Sequence, residues 1–202
     1  LNIWKTDRGM AHYQTLKPWC EMILNRTTPL SLAGSSRGVS FLFPMEMLFE
    51  RFVGLTLRRD LSRGFILKEQ AASRYLVKHQ GHSWFQLKPD FLITNGGRSI
   101  TVLDTKWKLI EENSGSSKEK YGLNQGDMYQ LFAYGEKYLE GEGEIYLVYP
   151  KHAGFQNPLP PFDFNDKLRL WVLPYDLDKE WLVSHEGSRS ELIFSRDYAE
   201  VS

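Results

Sequence analysis

The sequence predicts a mixed α/β domain, and three observations support this fold class. Residues 44–59 place apolar side chains at helical spacing, as a helix that covers a core does. Two stretches rich in aromatic and β-branched residues flank Asn95-Gly96-Gly97, which is typical of a β-hairpin. A second helical pattern over about 125–140 precedes an apolar stretch at 144–149. This order of helix, strands, helix and strands indicates a mixed sheet flanked by helices.

Composition limits the classes of function. With 202 residues, 42% of them hydrophobic, the chain can build one domain with a substantial core. Its 25 basic and 25 acidic residues give a formal net charge of zero, which excludes a polybasic nucleic-acid binder and leaves only a local basic patch. No apolar stretch is long enough to cross a bilayer, so we expect no membrane partner.

The single cysteine, Cys20, excludes an intramolecular disulfide and a zinc site made of cysteines alone. A reducing, cytoplasmic setting is the simpler interpretation. The chain begins with Leu1, and we expect it to be the inner part of a longer protein.

The N-terminal residues 1–40 are predicted to form a helical segment that ends a truncated or missing region. Apolar residues recur at helical spacing over 7–25, and Pro18 divides this stretch or starts its second helix. Residues 26–40 are rich in Thr, Ser and Gly and indicate a loop. We therefore expect the main domain to occupy residues 41–202.

The middle of the chain begins with the predicted helix 44–59. Pro44 suits its first turn, and Arg58 and Arg59 suit its carboxyl end. Strands are predicted over four stretches: 64–69, 74–79, 84–94 and 99–107.

The last part of the chain alternates loops with regular elements. Residues 111–122 form a polar loop before the predicted helix at about 125–140. After the strand at 144–149, the pattern predicts a Pro-rich loop, one more strand and a closing helix, at 150–162, 168–173 and 176–184.

The hairpin carries the residues on which a chemical prediction rests. Because side chains alternate along a strand, Asp104 and Lys106 point to the same face. A plain two-residue turn would place Asp90 opposite Leu103, on the wrong face. A three-residue loop of 96–98 would place Asp90 opposite Asp104, and we predict this loop or a β-bulge that restores the same facing.

Two carboxylates this close repel each other unless a cation lies between them. Mg²⁺ prefers oxygen ligands and retains several waters, so two or three carboxylates suffice to bind it. A bound metal can activate water and stabilise charge on a phosphate, and Lys106 would orient the nucleophile or offset developing negative charge. The competing interpretation of Asp104 and Lys106 alone is a surface ion pair.

In order along the chain, these residues resemble a known nuclease signature. Pro89-Asp90 followed by Asp104-Thr105-Lys106 resembles the PD-(D/E)xK motif of the restriction-endonuclease-like fold. Gln130-x-x-x-Tyr134 is similar to a helix motif of RecB-type nucleases. Together with Phe49-Glu50, Lys88, Trp107 and Asp127-Met128-Tyr129, they resemble the McrC family, the nuclease subunit of a modification-dependent restriction system.

The resemblance implies a role for five of the matching residues. Asp90 and Asp104 would be metal ligands, and Lys106 would be the catalytic lysine. Glu50 would join the metal shell directly or through water, although a solvent-facing helix acid is the alternative. Gln130 would contact the metal-bound water or nearby DNA. Weaker predictions for DNA contact concern Tyr134, which could instead pack, and Lys108, Lys118 and Lys120.

The resemblance also implies the reaction and the partners. The chain would be an Mg²⁺-dependent endodeoxyribonuclease, with Mn²⁺ as a substitute, that cuts double-stranded DNA together with a GTP-dependent AAA+ partner of the McrB type. Because the sequence has no P-loop, GTP should bind to the partner and no nucleotide to this chain.

Three further possibilities stay open from the sequence. A homodimer would supply the two centres needed to cut both strands. The alternatives in function are a repair or recombination nuclease that works without a GTPase, and a non-catalytic subunit that bridges an AAA+ ring.

Overall fold

A computed structural model of the protein describes residues 44–195. The helical segment and the loop predicted within residues 1–40 lie outside the described residues, and the domain boundary stays a prediction. From Pro44 onward the described chain belongs to one compact unit.

Helix α1 spans Met45–Arg59 and confirms the first predicted helix. Pro44 occupies the position before its first turn, where the missing N–H costs no helical hydrogen bond. Phe49, Val53 and Leu57 recur every four residues, and all three are buried against the sheet. This apolar stripe fixes the side of α1 that faces the core.

Nine strands follow α1 within residues 60–195. Their order in the main sheet is β1-β4-β5-β6-β8-β7, with β9 also paired to β8, while β2 and β3 form a separate hairpin. The β4–β5 pair is antiparallel, whereas β5–β6 and β6–β8 are parallel. The strands are β1 (Phe65–Glu69), β2 (Arg74–His79), β3 (His82–Leu87), β4 (Phe91–Asn95), β5 (Arg98–Thr105), β6 (Gly143–Pro150), β7 (Phe162–Asp163), β8 (Leu168–Asp176) and β9 (Trp181–Leu182).

Helices cover both faces of the sheet, so the mixed α/β class predicted from the sequence is confirmed. Helix α1 packs on the face that carries Leu103 of β5. Helix α2 spans Gln125–Tyr138 and packs on the opposite face, which carries Val102. Since side chains alternate along β5, Asp104 shares the α2 face with Val102.

The hairpin register decides how Asp90 and Asp104 face each other. Asn95 pairs with Arg98, so the turn has two residues and the predicted three-residue loop is wrong. The register then shifts between Ile93 and Thr94, and beyond this β-bulge Phe91 pairs with Leu103. Continuing the register by one residue places Asp90 opposite Asp104. The predicted alternative, a bulge that restores the facing, is confirmed.

The strand predicted over 84–94 is wrong as one continuous element. It divides into β3, which ends at Leu87, and β4, which begins at Phe91. Pro89 lies in the gap. It has no N–H to donate to a neighbouring strand, and its ring restricts the backbone conformation of Lys88. Asp90 therefore lies in a connector between two different sheets.

The helix predicted over 176–184 is also wrong. Strand β8 continues to Asp176. The chain then turns back, and Trp181 of β9 pairs with Asp176 of β8. Asp176 stabilises this turn, since its carboxylate accepts from the Lys179 backbone N–H at 3.1 Å. The last described helix, α3, is the short segment Ser190–Ile193. Within residues 44–195, every helix falls short of the length and hydropathy needed to cross a membrane.

Candidate active site

The predicted catalytic residues Asp90, Asp104 and Lys106 meet where β5 ends beside the β3–β4 connector. Asp104 is 2% exposed, near the end of β5. Asp90 is half-buried, and its Oδ2 accepts from the backbone N–H and the Oγ1 hydroxyl of Thr105, both at 2.7 Å. These two bonds tie the connector to β5 and hold one oxygen of Asp90 in a fixed place.

Lys106 is the cation nearest to the buried aspartate. Its Nζ lies 2.5 Å from Asp104 Oδ2. That oxygen is shielded from solvent, so Lys106 makes its ion pair with a buried carboxylate. The Lys106 backbone N–H donates to the Val148 carbonyl at 2.9 Å, which keeps this residue beside β6 although β5 ends at Thr105.

Burial and charge shift both ionisable groups of this pair. Burial, followed by repulsion from Asp90, raises the pKa of Asp104 to about 7, although Lys106 opposes the rise. For Lys106, burial acts to lower the pKa, but the Asp104 carboxylate outweighs it and the net shift is upward. Lys106 is therefore an ammonium at neutral pH, and Asp104 carries an electrostatic cost that a further cation would relieve.

Glu50 lies on α1, and its carboxylate accepts from Gln70 Nε2. Partial burial and then the charge of Asp90 raise the pKa of Glu50. The same Gln70 donates its backbone N–H to the Asp90 carbonyl at 2.8 Å, so Glu50 is linked to the connector through this residue. Its role as a metal ligand stays a prediction.

The residues that could bind Mg²⁺ are Asp90 and Asp104, without Glu50. Among residues 44–195, no three His, Cys, Asp or Glu side chains lie together as a metal site. Asp90 and Asp104 alone still suit the ion, since Mg²⁺ commonly binds one or two carboxylates and keeps its remaining waters. The observation that favours this fit is that Asp104 is almost fully buried and that the negative charge of Asp90 adds to burial in raising its pKa, a cost that a cation between the two carboxylates would relieve.

Gln130 and Tyr134 occupy one face of α2, as their spacing predicts. Gln130 Nε2 donates to Tyr134 Oη at 2.7 Å, and Tyr134 Oη donates to the Lys88 carbonyl at 3.1 Å. Tyr134 is thus packed inside the domain. Direct contact of Gln130 with a metal-bound water stays a prediction.

The three lysines predicted to touch DNA are all exposed. Lys108 Nζ donates to the Gly122 carbonyl at 2.7 Å, which holds it against the loop that precedes α2. Lys118 and Lys120 belong to that loop, and their contact with DNA stays a prediction.

Two polar residues at this site had no role among the sequence predictions, although Asp127 belongs to the motif that resembles the McrC family. Asp127, in the first turn of α2, raises the pKa of both Asp104 and Lys106 through its charge. Tyr149 continues the β5–β6 register one residue past Val148 and so lies beside Lys106, and its buried hydroxyl has no hydrogen-bond partner among residues 44–195. Spacing offered one signal, because Asp127 lies three residues before Gln130 on the same helix face.

We expect Tyr149→Phe to leave the free energy of unfolding unchanged or raise it by about 1 kcal/mol, because removing an unsatisfied buried hydroxyl removes a cost. Tyr146→Phe is the matched control on the same strand, since its hydroxyl donates to Glu144 Oε2 at 2.6 Å. That variant should lose about 1 kcal/mol. Urea unfolding measures both, and a larger loss for Tyr149→Phe than for Tyr146→Phe would show that the hydroxyl has a structural partner.

A family model for McrBC 5-methylcytosine restriction system components matches residues 1–150. The chain belongs to this family. The resemblance to McrC is therefore confirmed at the level of the family, whereas membership of the wider PD-(D/E)xK superfamily stays a prediction. No curated protein matches the chain in sequence.

A solved structure supports the fold of this McrBC-family chain. It is the refined half-complex from the tetradecameric assembly of Thermococcus gammatolerans McrB AAA+ hexamers with bound McrC. The match has a TM-score of 0.52 at 16% identity and covers 84% of this chain. The chain spans 43% of the length of the solved chain.

Proposed function

We propose that this chain is the nuclease part of a modification-dependent restriction system and that it hydrolyses phosphodiester bonds in double-stranded DNA. The observation that carries the proposal is the buried Asp104, paired with Lys106 at 2.5 Å and facing Asp90 across the bulged hairpin. Folding a buried, repelling pair of carboxylates costs free energy. This cost is explained if the two carboxylates bind a cation that takes part in catalysis.

Each residue has a chemical task in the proposed reaction. Asp90 and Asp104 would hold Mg²⁺, or Mn²⁺ in its place. When bound, the ion would activate a water and offset charge on the phosphate. Lys106 presents an ammonium beside Asp104, so it is suited to stabilise negative charge that develops on the phosphate and unsuited to accept a proton at neutral pH.

The proposed partner is an AAA+ GTPase of the McrB type. Family membership supports this proposal, and in the solved relative McrC is bound to McrB hexamers. The sequence has no P-loop, so GTP binding would be the task of the partner. Recognition of modified DNA would come from the partner as well, since the fold carries chemistry and not target choice.

The test is a reconstitution of the full-length protein with its AAA+ partner, GTP and DNA that contains 5-methylcytosine. We expect cleavage in Mg²⁺, none in EDTA, and none by Asp104→Ala in either condition. A folded Asp104→Ala protein that cuts as fast as the wild type would overturn the site assignment. Cleavage that persists in EDTA would overturn the proposed role of the metal.

We also propose that two copies act together, because one centre cuts one strand at a time. Light scattering of the complex on DNA should report paired nuclease subunits, and double-strand breaks made by a complex with a single subunit would contradict this.

A further inference from the structure

Helix α2 turns a row of hydroxyl and amide groups toward the connector that carries Asp90. Gln130, Tyr134 and Tyr138 recur every four residues and therefore lie along one side of the helix. Both tyrosines are buried, and their rings meet edge to face at 6.4 Å. The two tyrosines are thus part of the packed interior beside the site, while Gln130 lies at the exposed end of the row.

The row contacts the connector at carbonyl groups. Tyr134 Oη accepts from Gln130 Nε2 at 2.7 Å and donates its proton to the Lys88 carbonyl at 3.1 Å. Tyr138 Oη lies 2.6 and 2.8 Å from the carbonyl oxygens of Ala71, just before β2, and Leu87, the last residue of β3, and its single proton serves these two acceptors between them. Tyr134 therefore contacts the residue two before Asp90, and Tyr138 contacts the residue before that.

The position of the Lys88 carbonyl strongly affects the position of Asp90. It belongs to the peptide bond before Pro89, whose ring fixes φ and leaves little freedom between this peptide and Asp90. Asp90 lies outside the strands, so its position depends on the hydrogen bonds of the connector rather than on a strand ladder. Its carbonyl accepts from Gln70, and its carboxylate accepts from Thr105.

We propose that Tyr134 is a positioning residue that acts on Asp90 through the Lys88 carbonyl, with Gln130 orienting its hydroxyl, and that it makes no contact with DNA. At 2% exposure Tyr134 cannot reach a phosphate, and its one hydroxyl proton is already used. The importance of this positioning rests on the proposed function, because Asp90 is a proposed metal ligand.

Exchange of one backbone amide tests the proposal without metal or DNA. The Thr105 N–H donates to Asp90 Oδ2, so its hydrogen exchange reports whether the Asp90 carboxylate is held in place. We expect Tyr134→Phe to speed this exchange about tenfold in EDTA. Tyr138→Phe is the matched control on the same helix face, and it should change the Thr105 amide about twofold at most while losing similar overall stability.

Two titrations complete the test. Tyr134→Phe should weaken Mn²⁺ binding about tenfold, as loss of a supporting contact behind a ligand does. Its affinity for a DNA duplex in EDTA should equal that of the wild type. In cleavage, kcat should fall while KM for DNA stays the same.

Three outcomes would overturn the proposal. Thr105 exchange could be unchanged in Tyr134→Phe, or equally fast in Tyr138→Phe, which would indicate general loosening. The variant could instead lose DNA affinity in EDTA, which would indicate a phosphate contact. A wild-type protein that neither binds Mn²⁺ nor cuts would overturn the proposed function, while the amide exchange would still decide the role of Tyr134.

Discussion

A metal-free Asp104→Asn variant should be more stable than the wild-type protein at pH 8 and should cleave no DNA. Asparagine keeps the shape of aspartate but removes the charge that burial and Asp90 oppose. A pKa raised from 3.8 to about 7 corresponds to a penalty of about 4 kcal/mol on the ionised form. Because this pKa already includes the opposing effect of the Lys106 ion pair, about 4 kcal/mol is the largest gain in the free energy of unfolding that we expect from the variant at pH 8.

The pH dependence of this gain follows from the direction of the shift. The folded protein binds the Asp104 proton more tightly than the unfolded chain does, so the stability that Asp104 contributes falls as the pH rises from about 4 to about 7. Asparagine does not titrate there. The advantage of Asp104→Asn should therefore be small at pH 4, grow up to about pH 7 and then level off.

Urea unfolding in EDTA at several pH values measures this difference between the two proteins. Saturating Mg²⁺ should narrow it, since the metal stabilises only the protein that binds it. A variant that is less stable than the wild type at pH 8 would contradict the account of Asp104 as a strained, functional carboxylate.

Lys106→Met should lower the rate of DNA cleavage about 100- to 1000-fold, as loss of one preorganised charge at a reacting phosphate does. Methionine retains much of the apolar length of the side chain, so the packing beside β6 should survive. Metal binding should be kept or become tighter, because Asp104 loses the cation that competes for its oxygen. The variant therefore separates catalysis from metal binding.

Lys167→Met is the matched control for this result. Lys167 is exposed, pairs with Glu142 at 3.7 Å and comes just before β8, so it lies where the parallel strands begin, whereas Lys106 follows the end of β5. Single-turnover cleavage should change about threefold at most for a contact of this exposed kind. Cleavage that survives in Lys106→Met, or metal affinity lost there as fully as in Asp104→Ala, would contradict the proposed task of Lys106.

The sequence was sufficient where a local pattern determines the structure. The apolar stripe of Phe49, Val53 and Leu57 predicts both α1 and the face that it buries. Alternation along β5 places Asp104 and Lys106 on one side. The requirement that Asp90 face Asp104 even predicted a bulge as one of two solutions.

Predictions from local sequence patterns were wrong where contacts between distant parts of the chain determine the secondary structure. The stretch 84–94 has the composition of one strand, but β3 pairs with β2 and β4 pairs with β1 and β5, so the chain must leave one sheet for another at Pro89. Residues 176–184 have enough charge for a surface helix. Pairing of β9 with β8 outweighs that weak preference.

The candidate site shows the same limit. Asp90, Asp104 and Lys106 are found together because a motif joins them within one hairpin. Asp127 and Tyr149 come from α2 and β6, and their approach to Lys106 depends on how these elements pack, which spacing along the chain does not record. Glu50 matched the motif, yet its carboxylate contacts Gln70.

The central claim is that Asp90 and Asp104 hold a divalent cation, and anomalous diffraction from crystals soaked in Mn²⁺ tests it most directly. The account predicts one strong peak between the two carboxylates, absent from Asp104→Asn crystals treated in the same way. A peak at the acidic pocket near Glu142, Asp163 and Asp166, with none between Asp90 and Asp104, would contradict it.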